Sequence, residues 1–142
     1  MRSRVITTAR SAPVKISSIK HRLVAQRPLL GILTSDEPGR IFGGNHLNFI
    51  DLIRVGKAMG KLVCVVNINQ LKLNQKHIIG YIYQEKENTW TARRMILPRV
   101  LYNRIPTRKA ELSPHAQRTI KAAIRHSRIH LFNPAFFNKR TL

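Results

Sequence analysis

The chain is short of acid. Twenty-six Lys and Arg stand against six carboxylates, at Asp36, Glu37, Asp51, Glu85, Glu87 and Glu111, for a formal charge of +20 on 142 residues. A domain with that much self-repulsion implies an anionic partner: nucleic acid, anionic membrane, nucleotide phosphates or an acidic protein. Charge alone does not choose among them. Cysteine is equally scarce. Cys64 stands by itself inside the apolar run LVCVV, so an internal disulfide and a cysteine metal site are both excluded. That suits a reducing compartment and a buried, small-hydrophobe role for the thiol. No apolar run approaches the roughly 18–20 residues that span a bilayer, so no transmembrane helix is expected. Aromatics make up 6% of the chain, a poor supply for stacking on single-stranded nucleic acid.

Catalytic signatures are missing too. The histidines at 21, 46, 77, 115, 126 and 130 are scattered, with no HExxH or HxH pair. No paired carboxylates stand at strand ends, and no serine occupies a GxSxG elbow. An independent active site or metal site is not visible.

What is present is a well-punctuated domain of ordinary size and 43% apolar content, enough for a real core. The first 27 residues carry seven Lys and Arg and no acid; they read as a basic arm or a short strand pair, with an organelle-targeting segment as the alternative. From Pro28 the pattern changes. LLGILTS (29–35) reads as a buried strand, and DEPGRIFGGN as a turn-rich loop. Asn45 reads as the N-cap of a helix with an apolar face at Leu47, Phe49, Ile50, Leu52, Ile53, Val55 and Met59, closed by Gly60. KLVCVVNIN (61–69) is a second continuous apolar strand, the habit of strands covered on both faces in parallel sheets. HIIGYIYQ and TWTARRMIL around EKEN form a hairpin pattern. RVLYNRI after Pro98 is another strand. Ser113-Pro114 opens a helix as N-cap and N1, and IHLFN is a last strand before a helical beginning at AFFNKRTL. These readings add up to an α/β domain over residues 28–142, with a mostly parallel sheet, a hairpin inserted or appended, and covering helices.

Three places invite a ligand. Gly39, Gly43 and Gly44 lie between a strand and a helix, where open α/β sheets bind ligands. The spacing matches neither GxGxxG nor the P-loop, so a plain turn competes with anion binding. The helix from Pro114 carries Arg118, Lys121 and Arg125 on one side, either a phosphate-facing stripe or an ordinary solvated face. Trp90 reads as an anchor between elements.

In order, LLGILTS, FGGNHLNFIDLIRVGKAMGKLVCVVN, IIGYIY, a lone Trp90, LPRVLYNRIPTRKAE and IHLFNPAFFNK resemble the YheC/YheD family of endospore coat-associated proteins with an ATP-grasp architecture. The resemblance runs from about residue 28 to 139, and VLYNRIPTRKAE is its most specific piece. It implies a Rossmann-like pre-ATP-grasp domain on the substrate side, non-catalytic alone. ATP and Mg²⁺ are then expected only in a full-length family member, whose ATP-grasp part this chain lacks. The partners implied are an anionic, carboxylate-bearing small molecule, the missing ATP-grasp domain and coat proteins, in the cytoplasm or on the spore. The site residues that go with this reading are Asn103, Arg104 and Arg108 at a strand exit, with Gly43, Gly44 and Asn45 opposite. An Arg fork suits a carboxylate or phosphate, while ion pairs to Glu111 or Asp51, or simple solvation, are the alternatives. A small basic nucleic-acid-binding protein is the other reading of the whole chain.

Overall fold

The structure is a computed structural model that describes residues 22–134, together with the backbone of two strands nearer the N-terminus. Those two strands, β1 (Arg4–Thr8) and β2 (Ser11–Ile16), pair antiparallel, so the short strand pair is the reading that the arm takes up. The expected helix in AFFNKRTL lies outside the described residues.

The rest builds on one seven-stranded sheet. Its members are β3 (Leu23–Val24), β4 (Leu30–Thr34), β5 (Val63–Asn67), β6 (His77–Gln84), β7 (Thr89–Ile96), β8 (Val100–Asn103) and β9 (His130–Phe132). Their spatial order is β3-β7-β6-β5-β4-β8-β9. β4 lies between β5 and β8 and is parallel to both, and β8 is parallel to β9. The helices are α1 (His46–Ala58), a single turn α2 (Arg108–Glu111), and α3 (Pro114–Arg125).

The expectation of a mostly parallel sheet is corrected here, because the sheet is mixed. β6 is antiparallel to both β5 and β7. The reason is local: the turn after Gln84, with Asn88 at φ +52°, reverses the chain within a few residues, and so short a connection can only join antiparallel strands. The hairpin is also no appendage. It joins the sheet through the bridge Val65↔Tyr81 and becomes its flank.

Alternation along the strands divides the core in two. Ile32, Val63 and Val65 face one side, with Phe42, Phe49, Tyr81 and Ala92. Leu33, Cys64, Val66 and Leu101 face the other, with Ile78, Met95, Ile105, Ala116 and Ile120. α1 therefore covers one face through Phe49, and α3 covers the opposite face through Ala116 and Ile120. Each fully buried aliphatic side chain here contributes about 1.5–3 kcal/mol of transfer free energy. Burial on both faces is what the uninterrupted apolar runs of β4 and β5 require. Cys64 is fully buried, and desolvation pushes its thiol up to about 12, so it behaves as the small hydrophobe expected. Trp90 is the anchor expected, edge-on to Phe42 and His46 and tilted against Tyr83.

Both long helices begin where the sequence places them. The Asn45 side chain accepts from the Asn48 amide at 3.2 Å, and the Ser113 hydroxyl from the Ala116 amide at 3.2 Å. α1 is capped at its carboxyl end by Met59, with Gly60 following at φ +74°.

Two glycines at positive φ separate strain from crowding. At Gly44 (φ +95°) an added Cβ would lie 2.6 Å from the Phe49 ring, whereas at Gly60 it would meet open space. Gly44→Ala is expected to lower stability by about 2–4 kcal/mol, and Gly60→Ala by about 1–2 kcal/mol, since only the first adds a clash to the left-handed penalty. Urea unfolding of the two variants checks this; equal losses would remove the packing role of the Gly44–Phe49 contact.

Candidate functional site: the crevice at the carboxyl ends of β4 and β8

From β4 the chain leaves through α1 to β5. From β8 it leaves through α2 and α3 to β9, on the other side of β4 and across the opposite face. The neighbouring carboxyl ends of β4 and β8 are thus where the winding changes direction, the place where open α/β sheets leave a crevice.

The β4 side is built by the glycine loop folding back onto the strand end. The Thr34 hydroxyl donates to the Gly43 carbonyl at 2.8 Å, and the Gly43 amide donates to the Ser35 carbonyl at 2.7 Å. Gly44 lies against Thr34 Oγ1 and Phe49. Gly43, Gly44 and Asn45 therefore line the start of α1 beside the end of β4. The first turn of α1 carries no acidic side chain; the carboxylate beside the glycine loop is that of Glu37, whose Oε1 lies against Gly43 and accepts from Arg40. The Ser35 hydroxyl is buried and has no hydrogen-bond partner among the described residues.

His46, the first residue of α1, packs its ring against Phe42, Phe49 and Trp90. Its Nε2 lies 2.7 Å from the Phe42 carbonyl, so Nε2 carries the proton of the neutral ring. Burial is the main cause that holds its pKa below the usual 6.5.

The β8 side is set by register, because Leu33 of β4 is opposite Asn103, and the Arg104 amide donates to the Leu33 carbonyl at 2.8 Å. Asn103 is buried and turned inward. Its Nδ2 donates to Glu111 Oε2 at 2.6 Å, and its Oδ1 accepts from the Ile105 amide at 3.1 Å. It shapes the loop that follows β8. The Arg104 guanidinium lies over the Tyr102 ring, 5.6 Å from its centroid, a cation–π seat on the β8 edge. Arg108 opens α2 after Thr107, whose hydroxyl accepts from the Ala110 amide. The structure thus brings Gly43, Gly44, Asn45, Asn103 and Arg104 to one end of two neighbouring strands, and sets Arg108 one turn beyond them.

The structural role of one polar group of this end, and the burial of another that was read as an ion-pair partner for the arginines, escaped sequence reading. Asp36, just past β4, accepts from the side-chain amides of Asn67 at 2.6 Å and Asn69 at 2.5 Å, which ties the carboxyl end of β4 to that of β5. Glu111 is only 1% exposed. The alternation NIN at the end of β5 was the available signal for the first; for the burial of Glu111 there was none, because a lone acid in a basic segment reads as an exposed ion-pair partner.

Two outcomes follow. Asn103→Ala removes a donor from a buried carboxylate and an acceptor from the Ile105 amide, and is expected to cost about 2–4 kcal/mol in urea unfolding. A loss under about 0.5 kcal/mol would show that the loop holds without it. For His46 the folded pKa lies below 6.5. Its contribution to stability is therefore complete above pH 6.5 and is lost as the pH falls through 6.5 toward the folded value, where the unfolded chain takes up the proton first. The His46 ring protons, followed by NMR, should titrate below pH 6.5; a midpoint at or above it would contradict this burial.

No family model matches the chain, and no solved structure matches it. Among curated proteins, it is 35% identical over 115 residues to the endospore coat-associated protein YheD of Bacillus subtilis (strain 168). The match covers 79% of this chain and 25% of that protein, so the chain spans about a quarter of the length of the curated relative it matches. Through that likeness, the chain is a YheC/YheD-like protein.

Proposed function

We propose that the chain is the Rossmann-like, pre-ATP-grasp unit of an endospore coat-associated protein, and that it holds a carboxylate-bearing substrate in the crevice between β4 and β8. The observation that supports this reading is that Gly43, Gly44 and Asn45 follow the carboxyl end of β4 and Arg104 that of its neighbour β8, where the winding of the sheet reverses. Such an edge offers helix N–H groups from one side and a planar guanidinium from the other, the two donor types that suit a carboxylate. The stacking of Arg104 on Tyr102 limits its rotamers, which lowers the entropy lost on binding.

The division of labour follows from what each part offers. Among the described residues no three His, Cys, Asp or Glu side chains group together as a metal site would need. ATP and Mg²⁺ belong, on this reading, to the larger remainder of a protein of YheD's length. The role of this unit is to place the acceptor carboxylate at the strand ends and to exclude water around it. Spore association rests on the name of the relative.

Succinate added to the ¹⁵N-labelled 142-residue chain should shift the amides of Gly43, Gly44, Asn45 and Arg104, and Arg104→Ala should weaken it about tenfold. Shifts confined to other parts of the chain would overturn the site. The chain alone should neither hydrolyse ATP nor bind Mg-ATP tightly; micromolar binding by calorimetry would overturn its assignment to the substrate side.

A further inference from the structure

The opposite end of the parallel strands, where β8 and β9 begin, holds a concavity of about 260 Å³. Four permanent cations line it: Arg27 ahead of β4, Lys76 ahead of β6, Arg99 ahead of β8, and Arg128 between α3 and β9. They come from four separate segments, so their meeting is a product of the fold and not of a basic run.

No acid lines this concavity. All six acids of the chain lie among the described residues. Four of them are engaged elsewhere: Asp36 with Asn67 and Asn69, Glu37 with Arg40, Glu85 with Arg54, and Glu111 with Asn103. Neither Asp51 in α1 nor Glu87 in the β6–β7 turn lines the concavity. None of the four cations forms an ion pair among the described residues. The carboxyl end of α3 accounts for a cation at Arg128, but Arg27, Lys76 and Arg99 belong to other elements and have no such reason to gather.

The walls are not uniformly polar. Leu97, the buried Pro98 and Ile129 supply an apolar floor. At the rim, His126 Nδ1 accepts from the Arg128 amide at 3.1 Å, which fixes the turn and leaves Nε2–H as the donor of the neutral ring. A volume below the roughly 300–1,000 Å³ of drug-sized pockets selects a small guest. An Arg fork pairs bidentately with a phosphate.

We propose that this concavity is a binding site for a small organic phosphate ester, with its dianionic head among Arg27, Lys76, Arg99 and Arg128 and its apolar body on Leu97, Pro98 and Ile129. A duplex is too broad to enter it, so a phosphate backbone would meet only the rim charges. The site is independent of the β4–β8 crevice, and each can fail without the other.

The test is calorimetric titration of the 142-residue chain with phenyl phosphate at about 0.15 M salt, where diffuse surface attraction is screened. Saturable one-to-one binding is expected. Arg99→Ser with Arg128→Ser should weaken it about tenfold or more. Arg118→Ser with Lys121→Ser, which removes the same charge from exposed positions on α3 away from the concavity, should change it by less than about twofold. Amide shifts at Leu97, Arg99 and Ile129 in the unsubstituted protein give a second reading that needs no variant. Equal weakening in the two double variants, shifts that map to Gly43–Asn45 instead, or a response to duplex DNA without one to phenyl phosphate would each overturn the proposal.

Discussion

Everything in this fold depends on β4 being hydrogen-bonded along both edges and covered on both faces. A strand in that position has no solvent-facing side, which is why Gly31 to Ser35 are all buried and why the chain there is apolar apart from its last two residues. Close packing adds a second demand at Gly31, where a Cβ would lie 3.0–3.3 Å from Leu101, Val66 and Pro98. With β4 held this way, α1 and α3 must take opposite faces, because each crossover to a parallel neighbour is right-handed. The reversal of winding at the β4 and β8 ends is a consequence of that handedness.

The charge of +20 is distributed by the same architecture. Core burial leaves Lys and Arg on the surface of both long helices, along β7 and in the loops at the strand ends. Two of the few acids close structure: Asp36 bridges β4 to β5 through two asparagines, and Glu111 anchors the loop after β8 through Asn103. The acids thus hold elements together, and most cations are left to face solvent or anions. The start of α1 at one end of the sheet and a basic concavity at the other are the two results.

Strand and helix positions were largely legible in the sequence. The two caps at Asn45 and Ser113, the stop at Gly60, the span of β6 from His77 to Gln84 and the anchoring role of Trp90 all rest on local chemistry, and local chemistry survives folding. The family resemblance was legible as well, through ordered segments such as VLYNRIPTRKAE. Sheet direction was not, since continuous apolar runs report burial on both faces and say nothing of how a hairpin joins the flank. The single turn α2 was missed because four residues are too few for a helical period, although Thr107 was an available N-cap.

The sequence by itself determined which segments are buried, where the two long helices begin, and the strongly basic charge of the chain. It did so because burial, capping and net charge are carried by residue types at short range. Tertiary structure alone decided that Asn103 turns inward to a buried Glu111, that Arg104 is seated on Tyr102, and that Arg27, Lys76, Arg99 and Arg128 share one concavity. Those outcomes depend on strand order and register, which bring together residues tens of positions apart, and no local pattern encodes such distances.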